Sequence, residues 1–125
     1  MARPTSPLLT DREAEIMSVL WELGPSTSQQ IGERLSGEPH GSTVRTLLRI
    51  LAGKGHVKVN NHVRPAVFTS AMKQRSVRKK AAAELLKRFF GGSAEELVLH
   101  LLDDERLSAE QLKELEQRFL NRDQE

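Results

Sequence analysis

The sequence predicts a mainly α-helical fold with one small β-hairpin, arranged as two lobes. Three observations support this fold class. Apolar residues recur at spacings of three and four along most of the chain, which is typical of amphipathic helices. Two short segments near the middle instead alternate apolar and polar residues around a polar turn, as a hairpin does. The 125 residues fit two small lobes, about residues 8–71 and about residues 72–121.

The first lobe is predicted to contain three helices followed by the hairpin. Thr10 forms a capping box with the glutamate three residues further on, so it begins the first helix. Thr27 stands in the same relation to a glutamine and begins a short second helix. The third helix runs from about Gly41 to Lys54, with valine and leucine at the inward positions. The hairpin then occupies the segment "HVKVNNHVRPAVFTS".

The second lobe is predicted to be three helices with too little core of its own. They begin near Met72, Ser93 and Ser108, and about 50 residues rarely bury a sufficient core alone. A second copy of the chain is the simplest cover for the long apolar stripes, and folding back onto the first lobe is the alternative. The residues assigned to the dimer interface are Leu85, Phe89, Leu97, Leu101, Leu112, Leu115 and Phe119.

Charge is distributed very unevenly along the chain. The net charge is only +2, yet no acidic residue occurs between Glu38 and Glu84, where ten lysines and arginines stand. A solvated helix face normally mixes both signs, so this segment indicates a polyanionic partner. The basic run Arg78–Lys80 is equally compatible with a solvated face.

The order helix, short helix, helix, hairpin is that of a winged helix-turn-helix. In that arrangement the third helix enters the DNA major groove and the hairpin contacts backbone or minor groove. The acid-free segment covers both elements, and each of its cations can displace a counterion from phosphate. We therefore expect double-stranded DNA as the partner.

The candidate DNA contacts follow from side-chain geometry. Arg45 can form a fork to guanine, so it is the candidate for direct base readout. Thr43 and Thr46 offer hydroxyls and methyls, Ser42 is expected to anchor a phosphate, and Arg49 is expected to meet backbone. Four further candidates for phosphate or minor-groove contact are Thr27, Ser28, Lys58 and Arg64. For Thr27, a role in helix capping alone is an equal alternative.

Four stretches of the sequence resemble the penicillinase repressor family, which includes β-lactamase, methicillin-resistance and copper-transport repressors. They are "LTDREAEIMSVLWELGPSTSQQI", "STVRTLLRILAGKGHV", "AVFTSAMKQ" and "LLKRFFGGSAEELVLHLLDDERLSAEQLKELEQ". The resemblance spans roughly residues 8–120. It implies a homodimer that binds an inverted-repeat operator through N-terminal winged helices and represses transcription.

The resemblance also implies two modes of release. In the β-lactam branch, a membrane sensor-protease pathway leads to cleavage of an Asn-Phe bond shortly after the "GG" junction. The matching bond here is His100-Leu101, so a regulatory protease is an expected partner and this bond the candidate cleavage site. The copper branch carries a cysteine-rich metal motif, and a chain without cysteine does not support that mode.

Other classes of protein remain as alternatives or are excluded. The four histidines lack metal-ligand spacing, and no phosphate loop or nucleophile pairing occurs, so we expect no enzyme, metal or cofactor. A non-specific architectural DNA-binding protein and a protein–protein adaptor built on a winged helix remain open. Absence of a secretory signal, a long apolar run and cysteine indicates a cytoplasmic protein.

Overall fold

The computed structural model describes residues 9–122, which form six helices and three short strands. The fold is mainly helical, as predicted. The elements are α1 (Asp11–Leu23), β1 (Ser26–Thr27), α2 (Ser28–Arg34), α3 (Gly41–Gly53), β2 (Val57–Asn60), β3 (Val67–Ser70), α4 (Gln74–Phe89), α5 (Ala94–Asp103) and α6 (Ala109–Arg122).

The capping residues read from the sequence begin the first two helices. Thr10 accepts a hydrogen bond from the backbone of Glu13, whose carboxylate accepts one from the backbone of Thr10. Thr27 and Gln30 form the same reciprocal pair at α2. Each pair satisfies two backbone N–H groups that a helix leaves without partners in its first turn, which sets where the helix begins.

The core lies among the first three helices and the start of β2. Leu9 and Trp21 pack partly buried against it. Because the buried positions of α3 recur at spacings of four and three, the opposite side of that helix is left facing outward. The buried apolar residues are Ile16, Met17, Val19, Leu20, Ile31, Leu35, Val44, Leu48, Leu51 and Val57.

The sheet contains one more strand than the predicted hairpin. β2 and β3 pair antiparallel with Val57 opposite Ser70 and Asn60 opposite Val67. The two-residue β1 pairs with the other edge of β3, so β3 lies in the middle. Two residues are too few to show an alternating pattern in sequence, which is why β1 was not predicted.

Trp21 ties α1 to the end of the hairpin. Its indole N–H lies 3.0 Å from Ser70 Oγ and donates to the Met72 carbonyl at 2.9 Å. The Ser70 hydroxyl also donates to that carbonyl at 2.6 Å. These bonds satisfy the indole N–H of a partly buried side chain and hold the segment that precedes α4, which begins at Gln74 rather than at Met72.

Contacts divide the chain into two compact units, Met1–Ala81 and Ala82–Glu125. This division falls inside α4, ten residues beyond the boundary expected from the sequence. In the second unit, none of the described helical residues is buried. Among residues 9–122, no helix combines the length and the hydropathy that crossing a bilayer requires.

Candidate nucleic-acid interface

The outward side of α3 is exposed along its whole length. Arg45 and Arg49, four residues apart, lie on one flank of this side. Thr43 and Ile50, seven residues and thus two turns apart, lie on the other flank. Thr46 lies between the two flanks and is exposed as well. The helix therefore presents two cations on one flank and apolar or hydroxyl groups on the other.

His40 caps the N-terminus of α3, where the outward side of the helix begins. Its Nδ1 accepts a hydrogen bond from the backbone N–H of Ser42 at 3.2 Å and lies 2.8 Å from the Ser42 hydroxyl oxygen. The Thr46 hydroxyl donates to the Ser42 carbonyl at 2.9 Å. Two of the predicted hydroxyl contacts, those of Ser42 and Thr46, are thus already hydrogen-bonded inside the protein.

A groove of about 520 Å³ separates the starts of α2 and α3. Ser28 lines it from α2, and Arg45 lines it from α3. Glu33 and Glu38 also line it, so the groove combines Arg45, the cation predicted to read a base, with two carboxylates. Thr27 lies just before α2, where its hydroxyl accepts the capping bond from Gln30.

The wing carries its own cations away from the core. Lys58 lies on β2 opposite Thr69, and its side chain is exposed. Arg64 lies in the exposed turn between β2 and β3. At the end of β2, the Asn60 side chain accepts a hydrogen bond from the backbone N–H of His62 in this turn at 2.9 Å. The tip thus presents a cation on a short, locally hydrogen-bonded loop.

Most cations of the acid-free segment have no carboxylate partner. Among the ion pairs between residues 9–122, Lys54 is the one member of this segment that takes part, through Glu13. The other described pairs are Arg12–Glu15, Arg34–Glu22 and Arg106–Asp104. Unpaired positive charges on α3, the wing and α4 raise the local potential and attract a polyanion.

Arg12 and Glu15 of α1 hold the turn that leads into α3. The Arg12 guanidinium donates to the Ser36 carbonyl at 2.8 Å, and Glu15 accepts from the Ser36 backbone N–H at 2.7 Å. This backbone hydrogen bond, the Ser36 side chain and the adjacent Arg12 together lower the pKa of Glu15. Both α1 residues therefore fix the backbone between α2 and α3.

In the part of the chain that the structure describes, no three His, Asp or Glu side chains are placed to hold a metal ion. The candidate DNA contacts all lie in the first unit, on β1, α2, α3 and the wing. Ile50 is 45% exposed on α3 but was not among the predicted contacts. The prediction for this helix rested on polar and charged side chains only.

The second unit carries a different kind of surface, made of exposed apolar side chains. Phe89 is 69% exposed and Phe119 is 63% exposed. Leu97 and Leu101 are only partly exposed. Leu99 and Leu120 are exposed, although they were not among the residues predicted for the dimer interface. The other exposed members of the predicted interface are Leu85, Leu112 and Leu115. His100 is exposed on α5, with its ring 6.0 Å from that of Phe90.

Comparisons with known proteins place the chain in a family and find several relatives. The family model described as penicillinase repressor matches residues 9–121. The penicillinase repressor of Bacillus licheniformis is 28% identical over 113 residues, covering 89% of this chain and 88% of that protein. The methicillin resistance regulatory protein MecI of Staphylococcus aureus (strain N315) is 23% identical over 109 residues, covering 86% and 89%. A MarR family protein from Bacillus stearothermophilus aligns with a TM-score of 0.49 at 20% identity, covering 90% of this chain and 76% of that one.

Proposed function

The chain belongs to the penicillinase repressor family, and from this premise we propose that it is a sequence-specific repressor that acts as a homodimer on an inverted-repeat operator. The family is one of transcriptional repressors, so the chain is a DNA-binding regulator and not an enzyme.

The single observation that carries the proposal is the outward side of α3. Between Ser42 and Ile50, every residue of α3 that does not face the core is exposed. The arginines of this side form no ion pair with a carboxylate among the described residues. A helix of this kind fits the major groove, where Arg45 can form two hydrogen bonds to guanine. Arg49 then meets phosphate one turn further along the helix.

The hydroxyl groups take narrower roles than the sequence suggested. Since the Thr46 hydroxyl already donates to the Ser42 carbonyl, its methyl is the group available to a thymine. Ser42, next to the cap formed by His40, lies at the start of the helix, where an anchored phosphate also meets backbone N–H groups. Thr43 remains a contact to base or phosphate through either its hydroxyl or its methyl.

The remaining contacts are assigned to the DNA backbone. Thr27 and Ser28 lie at the start of α2, and Lys58 and Arg64 lie on the wing. Both α2 and the wing strand β2 contact α3. Each neutralised phosphate releases counterions, so these residues contribute affinity and salt dependence rather than base preference.

Dimerisation is assigned to the three C-terminal helices. Residues 72–121 then form the dimerisation domain and residues 8–71 the DNA-binding domain. Exposed phenylalanines and leucines of α4, α5 and α6 supply the apolar surface that a second copy would bury, at about 1.5–3 kcal/mol for each well-buried side chain. A two-fold dimer also matches the symmetry of an inverted repeat.

Control of β-lactam-responsive genes is the regulatory role that the relatives' names support. Such a repressor acts in the cytoplasm, where its operator lies. Release by proteolysis would cut His100-Leu101, a bond inside α5. The test is mass spectrometry of the chain after incubation with the induced cognate protease, with the inactivated protease as control. An intact chain after derepression would exclude this route.

Selection of bound duplexes from a random DNA pool, at near-physiological salt, tests the function as a whole. Enrichment of an inverted repeat is the expected result. Salt-sensitive retention without any enriched sequence would instead identify a non-specific architectural protein. No retention of duplex would identify an adaptor that uses the winged helix for protein contacts.

A further inference from the structure

Ile50 is an exposed apolar side chain on the surface of α3 that the proposed function gives to DNA. It is 45% exposed, while the other large apolar residues of α3 are buried or half-buried against the core. One exposed isoleucine is ordinary on a protein surface. Its position on the reading helix, among residues otherwise polar or charged, is what requires an explanation.

The helical spacing places Ile50 among the candidate base-reading residues. It follows Thr43 by seven residues, so the two share one flank of α3, and it follows Thr46, which lies between the flanks, by four. Arg45 and Arg49 follow the opposite flank, where Arg45 borders the groove shared with α2. The flank that carries Ile50 therefore presents methyl groups, while the other presents guanidinium groups.

The chemistry of the major groove identifies what an apolar side chain can read there. The guanine, cytosine and adenine edges present donors and acceptors, whereas thymine adds a C5-methyl group. A polar edge placed against Ile50 would lose its hydrogen bonds to water, but a methyl group gains from the same contact. We infer that Ile50 is a specificity-determining residue that packs against a thymine methyl in each operator half-site.

This inference rests on the proposed function and adds a base contact that polar chemistry does not supply. Its test uses the full-length protein and the operator recovered by selection. Each thymine in turn is replaced by deoxyuridine in both half-sites, which removes only the methyl. Binding of wild type, Ile50→Ala, Thr46→Ser and Val63→Ala is then measured on each duplex.

At one thymine position, removal of the methyl is expected to lower the affinity of the protein for the duplex about fourfold per half-site. This loss corresponds to one buried methyl group. Ile50→Ala should abolish that loss, because the methyl then has no apolar partner. Val63→Ala alters an exposed apolar residue in the wing turn and should leave the loss unchanged. Thr46→Ser removes the neighbouring methyl, so it affects only a thymine that Thr46 itself contacts and should leave the Ile50-dependent loss in place.

Three results would overturn the inference while leaving the operator intact. In the first, wild-type affinity does not depend on any thymine methyl. In the second, Ile50→Ala still loses affinity when the methyl is removed. In the third, that loss disappears in Thr46→Ser and not in Ile50→Ala. A change in the sedimentation of free Ile50→Ala would also overturn it, since Ile50 would then contact protein. If selection enriches no operator at all, the proposed function itself fails, and this contact fails with it.

Discussion

Glu13, near the start of α1, and Lys54, at the end of α3, form an ion pair with 2.8 Å between Oε2 and Nζ. The Glu13 side chain is only 3% exposed, and its other oxygen accepts the capping bond from the Thr10 backbone. One carboxylate therefore begins the first helix and holds the end of α3. Lys54, inside a segment otherwise free of ion pairs, is therefore engaged within the protein and is not among the cations proposed to contact DNA.

Lys54→Met should destabilise the winged-helix unit by about 2 kcal/mol, because it leaves a buried carboxylate without its cation. Urea unfolding followed by the fluorescence of Trp21, the single tryptophan, measures this unit directly. Glu22→Gln is the matched control, since it breaks the exposed 3.4 Å pair with Arg34 and should cost less than about 1 kcal/mol. Equal losses in both variants would contradict a structural role for the buried pair.

Acid should weaken the same unit through Glu13. Burial acts to raise the pKa of Glu13, but hydrogen bonds from Lys54 and Thr10 and the Lys54 charge outweigh it, so the pKa lies below its ordinary value of 4.5. A depressed pKa adds stability that is present above the unfolded value and is lost as pH falls through the folded value. Glu15 acts in the same direction through its bonds to Ser36.

The expected result is a smaller acid loss of unfolding free energy in Glu13→Gln than in wild type between about pH 6 and about pH 3. Glu22→Gln again serves as the control and should follow wild type. Parallel pH curves for Glu13→Gln and wild type would show that the Glu13 carboxylate does not carry this dependence.

Arg45→Ala and Lys58→Ala should differ in kind as well as in size. The first is expected to lose roughly 1–3 kcal/mol on the operator and to relax preference at one base in each half-site. The second is expected to weaken operator and scrambled duplexes alike and to reduce the salt slope by about 1. Titration of both duplexes at several salt concentrations separates the two, and equal effects on both duplexes from both variants would remove the assigned division.

Leu115→Lys should weaken dimerisation about tenfold or more, because a charge would enter the apolar surface of α6. Operator affinity should fall with it, since the two half-sites would no longer be bound by one particle. Glu114→Gln makes the same change in net charge on the other side of α6 and is the control. A Leu115→Lys protein that sediments as wild type at micromolar concentration would place the interface elsewhere.

The local parts of the winged helix could be predicted from the sequence because their signals are local. Thr10 and Thr27 each lie three residues before a Glu or Gln, and that spacing alone specifies a capping box. The buried positions of α3 follow from helical periodicity, and the charge bias of residues 39–83 needs no structure to be seen. Together these features indicate a DNA-binding winged helix.

Tertiary structure decided what depends on residues far apart in the chain. β1 exists only because β3 pairs with it, and the indole of Trp21 finds its hydrogen-bond partners about 50 residues away. No local pattern could pair Glu13 with Lys54, so sequence alone counted Lys54 among the cations facing a polyanion. The sequence by itself determined the helices, the wing and the charge partition, because periodicity and capping act over a few residues. Packing decided which cations form ion pairs within the protein, because burial and the choice of partner depend on the whole fold.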